Sequence, residues 1–478
     1  MVSRPPQGHM ERFMWFLEKS KIDFKQHQYD GVQWAVYNET RPDPPLSCRG
    51  GFIADEMGLG KTITTIGLII ANFMPCTLIV LPNVLLEQWS REIFRTTGRK
   101  PILFYGQNKK KLTIEMLQNA PIVITTYGII TQMNSILHQI KWSRVVFDEA
   151  HHLRNKNIYY NSAIHLKTNI RWLISGTPIQ NRQQDFHNLC SVLSLPSTFY
   201  KKRENLPFIV SNFLLRRTKL DVGIQMPPLN IDRLSISWDN PSERILSKDI
   251  HDSLKTVAAT DKLKLFIRAR QVCILPAMLQ TKLSSLTDNS LISKLNSQYH
   301  SEAIRSSSKI DNLISTLIQR YNNGNGKIIF CHFRQEIDVI HQRLLNAGVP
   351  SHLVAAFDGR TPFGKRAYQD FEFLILQIQT ASEGLNLQAQ YSEIYFVSPS
   401  WNPAIEEQAI ARCHRIGQTK PVHVFKFYMD TFDLPQDSDQ QEIQALSLDQ
   451  YISLSQKSKR EISDYILSPQ HISPLTIQ

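Results

Sequence analysis

The stretch Asp55-Glu56-Met57-Gly58-Leu59-Gly60-Lys61-Thr62 sets two glycines, a lysine and a hydroxyl in an order suited to holding phosphates. A glycine-rich loop lets backbone N–H groups converge on phosphate oxygens, and a helix starting just after it adds a favourable dipole. In that chemistry Lys61 reaches the β- and γ-phosphates of ATP and the Thr62 hydroxyl ligates Mg²⁺. The generic pattern begins with glycine, where this chain has Asp55. A second element, Val145-Val146-Phe147-Asp148-Glu149-Ala150-His151, is an apolar run that ends on paired acids. Asp148 is placed to hold Mg²⁺, and Glu149 to orient or deprotonate an attacking water. Two acids at the end of a buried strand are costly unless a cation accompanies them. A third element holds Gln408, Arg412 and Arg415. Their i, i+4, i+7 spacing would put them on one face of a helix. Two guanidiniums so placed can clamp a γ-phosphate, an effect on the order of 10³–10⁵ in rate in other NTPases.

These groups need a scaffold. Runs apolar throughout occur at Thr77–Leu81, Ile122–Thr126, Val145–Phe147 and Trp172–Ile174. A second set follows at Lys327–Cys331, Phe373–Ile378, Ile394–Val397 and Val422–Phe427. Strands of this kind suit parallel sheets covered by helices on both faces, so the class is α/β with two lobes. Gly51-Phe52-Ile53-Ala54 is the expected strand feeding the phosphate loop, and Thr62–Ile70 the helix after it. We divide the chain into an extension (1–23), a first lobe (24–225), a helical linker opening the second lobe (226–320), the second lobe (321–430), and an acidic loop with a closing helix (431–478). The main boundary follows the basic segment Leu215-Arg216-Arg217-Thr218-Lys219, near Met226-Pro227-Pro228. In the closing helix Leu448, Ile452, Ile462 and Ile466 are expected to form one apolar stripe.

At 478 residues two or three domains are expected, and 42% hydrophobic with 20% charged residues is a globular composition. The net charge of +12 favours a polyanionic partner, nucleic acid before membrane. Six cysteines stand singly, with no CxxC pair, which argues for a reducing compartment and against a disulfide framework or a zinc ribbon. The neighbours Cys331-His332 and Cys413-His414 diverge on either kind of element and are expected to be buried rather than metal ligands. The longest apolar stretch, Gly67 to Met74, falls well short of the ~20 residues that a spanning helix needs. Glu11, Arg12 and Glu18 interrupt any signal peptide.

Taken together, these residues resemble helicase superfamily 2. Asp148-Glu149-Ala150-His151 is a DEAH box, and the phosphate loop resembles the variant found in Swi/Snf-type ATPases. Phe24 to Trp34 resembles the Q motif, in which Gln28 would read adenine. Leu78–Trp89 resembles motif Ia, and Ile124-Thr125-Thr126-Tyr127 the DNA-contacting motif after it. Leu173-Ile174-Ser175-Gly176-Thr177-Pro178 resembles motif III. In the second lobe Lys327–Phe333 resembles motif IV, Phe357-Asp358-Gly359 an Asp-Gly element, and Glu383-Gly384-Leu385-Asn386-Leu387 motif V. Trp401-Asn402-Pro403 leads into Gln408–Gln418, whose His-Arg-Ile-Gly-Gln ending resembles motif VI. The resemblance runs from about residue 24 to 430, with a weaker echo at Leu448–Leu467. The approach to motif V, Gln377 to Gly384, lacks the family's usual Arg and glycines. The span between Pro178 and Leu215 is shorter than the family's usual protrusion.

The resemblance implies two RecA-like lobes, ATP with Mg²⁺ in the cleft between them, and movement along DNA. It assigns ATP contact to Gln28, the loop from Asp55 to Thr62, Gly384 and Asn386, and metal contact to Thr62 and Asp148. DNA contact falls to Thr125, Thr126, Thr380 and Trp401. Coupling falls to His151, Ser175, Gly176, Thr177 and Asp358. Translocation on duplex DNA by a monomeric motor, through sequence-blind backbone contacts, is the expectation. A strand-separating helicase, or a silent scaffold docking on DNA or on a transcription or chromatin complex, are the rivals; RNA as stimulating polymer ranks lower. There is no room for a bromodomain, chromodomain or RING module, and this compactness resembles the versions found in large DNA viruses. The expected location is the nucleus or a viral replication site or virion, neither secreted nor in a membrane.

Overall fold

The uniformly apolar runs become the central strands of two parallel sheets, as expected for strands covered on both faces. The computed structural model describes residues 7–179, 182–256, 259–279, 306–358, 371–381, 386–432 and 446–467. Gly384, Gly359 and the expected acidic loop at 433–441 lie outside the described residues, as does the Ser-rich piece Ser284–Ser290; the side chain of Thr380 is likewise not described. The chain divides into two units, Met1–Gln225 with Lys459–Gln478, and Met226–Ser458.

In the first unit the strands are β1 (Arg49–Ile53), β2 (Thr77–Leu81), β3 (Ile102–Leu103), β4 (Ile122–Thr126), β5 (Lys141–Trp142), β6 (Arg144–Asp148), β7 (Lys167–Thr168), β8 (Ile170–Ile174) and β9 (Leu214–Leu215). Seven of them form one sheet in the order β3-β4-β2-β6-β8-β1-β9, and β5 and β7 pair separately. β2, β4 and β6 are buried at every position. Successive residues feed opposite apolar layers: Val80, Phe147 and Leu173 pack on one side, Ile79, Val146 and Trp172 on the other. The covering helices include α1 (His9–Ser20), α2 (Gln26–Thr40), α3 (Lys61–Ala71) and α4 (Leu86–Thr97). Along α4 the residues Leu86, Trp89, Ile93 and Thr96 are buried, a 3.6-residue period that turns one face inward.

The second unit contains β10 (Leu229–Ile236), β11 (Gly326–Cys331), β12 (Val354–Phe357), β13 (Phe373–Gln377), β14 (Tyr391–Phe396) and β15 (Val422–Met429), in the order β10-β15-β14-β11-β13-β12. β10 escapes a sequence reading because its first five residues are exposed, as suits a strand at the sheet edge. Ile378 opens a short helix instead of closing β13. The expected helical stretch contains Pro241–Thr256, Ala259–Ile274 and Ser308–Gln319. The last helix, Leu448–Leu467, buries Leu448, Ile452 and Ile466, but Ile462 is 37% exposed. The expected stripe holds in direction, since at about 100° per residue all four side chains fall within about 80° of one another, but it is covered only at Leu448, Ile452 and Ile466. Among the described residues no helix is long and apolar enough to cross a membrane.

Each unit has a charged knot in its interior. In the first, Glu39 and Arg144 have fully buried side chains and pair through two contacts. Trp172 Nε1 and Asn72 Nδ2 also donate to the Glu39 carboxylate, each at 2.7 Å. In the second, the equally buried Lys309 pairs with Asp449, whose carboxylate also accepts from the Met429 amide at 3.0 Å. Removing one member of such a pair strands its partner without solvent, at a cost of about 3–5 kcal/mol. Arg144→Met should therefore destabilise the first unit by that amount, and Glu39→Gln/Arg144→Met should recover a large part of it. Denaturation followed by tryptophan fluorescence checks this, since Trp15, Trp34, Trp89, Trp142 and Trp172 all lie in the first unit.

Candidate nucleotide site

The phosphate loop leaves the end of β1 and is held from outside by the segment after β9. Ala54 N–H donates to the Leu215 carbonyl at 2.7 Å, and Glu56 N–H to the Arg217 carbonyl at 2.8 Å. Side chains repeat the pairing. Arg217 grips Asp55 bidentately, Nε to Oδ1 at 3.0 Å and Nη2 to Oδ2 at 2.5 Å. Lys219 meets Glu56 at 2.9 Å. A third Arg217 nitrogen donates to the His27 carbonyl, tying in the start of α2. A Cβ at residue 31 would stand 2.8 Å from Arg217 Nη2, so Gly31 is what lets the guanidinium pass. This accounts for Asp55 where the generic loop has glycine. It also corrects the grouping of Asp55 and Glu56 with the cradle: their carboxylates hold the loop to its neighbour. Arg217 and Lys219, read from the sequence only as a basic boundary segment, are the residues missed. The signal lay in two adjacent acids opening the loop and two bases, Arg217 and Lys219, with one residue between them in the segment.

Gly58 and Gly60 have φ of 95° and 85°, so the loop turns through conformations that favour glycine before α3 begins at Lys61. A Cβ on Gly60 would lie 2.4 Å from Gln28 Nε2. Gln28 Nε2 donates to the Leu59 carbonyl at 3.3 Å, and a His27 ring nitrogen lies 3.0 Å from the same oxygen. Gln28 Oε1 is buried with no protein hydrogen-bond donor, an acceptor of the kind an exocyclic amine would satisfy. Lys61 Nζ donates to the carbonyls of Asp55, at 2.8 Å, and Glu56, at 3.3 Å. Thr62 follows in the first turn, half-buried. Met57 and Lys61 pack close to Gly176, where a Cβ would stand 2.9 Å from Met57 Cγ and 3.2 Å from Lys61 Nζ.

β6 ends on the acids. Asp148 is buried, and Trp89 Nε1 donates to its Oδ2 at 2.6 Å while the Glu149 amide donates to Oδ1 at 3.0 Å. Tyr127 pins the Asp148 carbonyl at 2.7 Å. Burial, and then the charge of Glu149, push the Asp148 carboxyl up to about 7. Glu149 adopts φ 49°, a left-handed conformation that is strained for a side chain of this kind. Its Oε2 lies 3.2 Å from His151 Nδ1, which is 3.5 Å from Ser175 Oγ; Ser175 Oγ in turn accepts from the Thr177 amide at 3.2 Å. Glu149, His151, Ser175 and Thr177 thus lie in one run of close polar contacts. The residues present fit ATP with Mg²⁺: a lysine at a helix start, a hydroxyl and a carboxylate for the ion, and an acid pair whose crowding a cation would relieve.

In the second unit the helix Pro403–Ile410 carries a buried Gln408 and then stops. Arg412 and Arg415 lie in the turns that follow, so Gln408, Arg412 and Arg415 do not share a helix face. The cause is local: Cys413 is drawn into an apolar layer, and the Arg412 carbonyl accepts from Leu387 N–H at 3.1 Å. Arg415 hydrogen-bonds Asn386. Its guanidinium pKa is lowered by burial and by the adjacent charge of Arg412. Gln418 holds the turn, donating to the carbonyls of Tyr391 and Cys413, and His414 reaches the Pro227 carbonyl at 2.9 Å.

Thr125 is fully buried, with its hydroxyl donated to the Phe104 carbonyl at 3.0 Å; the expected DNA contact by this side chain is corrected, because β4 is an inner strand. Thr126 is also buried. Trp401 is 41% exposed and packs on Phe266 and Tyr451. Asp358 is buried at the end of β12. All six cysteines are free and buried, and no metal-binding cluster occurs among the described residues.

Family comparison adds to this geometry. The SNF2-related domain matches residues 27–278, and the helicase conserved C-terminal domain residues 308–417. The SWI/SNF-related matrix-associated actin-dependent regulator of chromatin subfamily A member 1 of Homo sapiens is 27% identical over 430 residues, which are 80% of this chain and 39% of that protein. The chain thus spans well under two thirds of that relative. A probable global transactivator of Orgyia pseudotsugata multicapsid polyhedrosis virus is 26% identical over 449 residues, 85% of this chain and 86% of the viral protein. The Hef helicase domain of Pyrococcus furiosus shares the fold, with a TM-score of 0.56 at 15% identity over 86% of this chain and 96% of that one.

Two outcomes follow from the site. Arg217→Ala should raise the ATP KM about tenfold and lower kcat less, because the loop loses its clamp while Lys61 and Glu149 stay. Asp55→Asn/Arg217→Met, which leaves no unpaired charge, should regain stability but not ATP affinity; steady-state kinetics with thermal melts check both. An Asp148 carboxyl raised to about 7 folds best when protonated, so its contribution is present at low pH and lost as pH rises towards that value. Asp148→Asn should therefore raise the melting temperature of the nucleotide-free protein in EDTA most at pH 8 and clearly less at pH 5, with the gain vanishing as the pH falls below the ordinary carboxyl range.

Proposed function

Because the chain belongs to the SNF2-related family of superfamily 2 helicase-like proteins, we propose that it is a DNA-dependent ATPase that moves along duplex DNA. One observation carries the reading: within one unit Glu149 reaches the Ser175–Thr177 segment by way of His151, at 3.2 and 3.5 Å, and Lys61 lies beside Gly176 of that segment. A group that handles water beside the γ-phosphate is thereby wired to a segment able to report on it.

The roles follow from charge and reach. Lys61 and the backbone amides of the loop hold the phosphates, and Gln28 offers Oε1 to the base. Thr62 and Asp148 would hold Mg²⁺, whose charge neutralises phosphate oxygens. Glu149 accepts a proton from the attacking water, and His151 keeps that carboxylate oriented. Arg412 and Arg415 supply positive charge to the γ-phosphate as negative charge spreads in the transition state. We assign Gly384 and Asn386 to the nucleotide and Thr126, Thr380 and Trp401 to DNA.

DNA affinity should come from phosphate contacts, which makes binding steep in salt and blind to sequence. The human relative is named as a regulator of chromatin and the viral one as a probable global transactivator, so we propose a transcription or chromatin complex as the setting and the nucleus or a viral replication site as the location.

ATP hydrolysis measured side by side with duplex DNA, single-stranded DNA, RNA and nucleosomes tests this. Duplex DNA should stimulate most; preference for single strands or RNA overturns translocation on duplexes. Glu149→Gln should abolish stimulated hydrolysis while retaining ATP binding, and unchanged hydrolysis in that variant would remove Glu149 from its role.

A further inference from the structure

One concavity of the first unit lies away from the phosphate loop. It is a groove of about 880 Å³ between α1, the C-terminal ends of α3 and α4, and the turn leading to β3. The phosphate loop enters α3 at Lys61, whereas the groove takes the far end of that helix, at Ile69, Ile70 and beyond. Eight or more residues of helix, at 1.5 Å each, separate the two by over ~12 Å.

The floor is apolar, with Trp15, Phe16, Ile69, Phe73 and Ile93. Phe73 is 52% exposed, an unusual state for a large apolar side chain in a concave place. The rim is cationic: Arg12, Lys19, Arg99 and Lys100 line it, and none of the described lining residues is acidic. Lys100 Nζ sits 5.6 Å from the centre of the Phe94 ring, so its charge is held beside the groove mouth. Trp15 Nε1 is buried with no protein acceptor. The local charge is thus of one sign around an aliphatic and aromatic floor.

We propose that this groove docks an acidic amphipathic helix from a partner protein. Apolar residues spaced i, i+3/i+4 and i+7 would seat on Trp15, Ile70 and Phe73, and carboxylates on the flanks would meet Arg12, Lys19, Arg99 and Lys100. The aliphatic and aromatic floor matches apolar side chains better than a phosphate backbone, so a protein helix is favoured over nucleic acid as occupant. The surface is separate from the nucleotide site, so it can tether the motor without occupying the catalytic groups. The inference does not depend on the activity proposed above.

The test uses the full chain and a fluorescent 16-residue peptide with Leu and Phe at the i, i+4, i+7 positions and Glu elsewhere, followed by anisotropy. A scrambled peptide, a version with Lys for Glu, a short DNA duplex and anionic vesicles serve as comparisons. Saturable binding of the acidic peptide alone, weakened about tenfold or more by Phe73→Ala and by Arg99→Glu/Lys100→Glu, is the expected result. ATP hydrolysis should be unchanged in both variants, which shows that they fold. No binding up to about 1 mM peptide, equal binding of the scrambled or Lys version, or undiminished binding by both variants overturns the proposal. Tighter binding of duplex or vesicles that both variants abolish overturns it too, in favour of a nucleic-acid or lipid surface. Hydrolysis and peptide binding are separate readouts, so either proposal can fail alone.

Discussion

The bidentate pair between Arg217 and Asp55 is the contact on which the first unit's chemistry depends. Asp55 is 1% exposed, so without the guanidinium its charge would stand in a medium that penalises it heavily. Arg217 answers it with two parallel hydrogen bonds and uses a third nitrogen on the His27 carbonyl. One side chain therefore joins the phosphate loop, the segment after β9 and the start of α2. Those three pieces are far apart in sequence, and α2 carries the Gln28 that packs on the loop from the other side. The loop's shape is set by partners outside it as much as by its own glycines.

That fixed frame lets the site hold two features that are unfavourable in themselves. Glu149 is kept in a left-handed conformation, and Asp148 sits beside it with its carboxyl raised to about 7. A flexible surround would relax both. Here Trp89, Tyr127 and His151 hold the pair from three directions. The crowding of the two acids is of the sign that a bound cation would relieve, so binding one would stabilise the folded chain.

The second unit uses the same economy in a different form. Its arginines lie not on a regular helix but on a turn, and that turn is held by Gln418, by His414 on the Pro227 carbonyl, and by Cys413 in the apolar layer. In the His-Arg-Ile-Gly-Gln string, then, His414 and Gln418 hold the turn and Arg415 lies between them, bonded to Asn386. The buried Lys309–Asp449 pair ties the helix Ser308–Gln319 to the start of the last helix, so the unit's late sequence is locked to its middle.

Much of this was legible in one dimension. Parallel strands covered on both faces declare themselves by unbroken apolar runs, and β2 and β4 fall where those runs do. The phosphate loop and the acid pair were readable because a catalytic group must sit in a short, contiguous frame of fixed residue types. What the sequence could not contain was any relation across distance. Arg217 reads as a basic boundary residue until the chain folds it onto Asp55, and the resemblance gives Thr125 to DNA until its hydroxyl is found bonded to the Phe104 carbonyl inside the sheet. The i, i+4, i+7 spacing of Gln408, Arg412 and Arg415 was true as arithmetic, yet the regular helix ended at Ile410 and the arginines fell in the turns after it, with Cys413 buried between them. The amino-acid order alone determined which groups could do the chemistry. Tertiary packing decided which of them are held, which are buried and which are left to act, since burial and ion pairing are properties of neighbours that only the fold brings together.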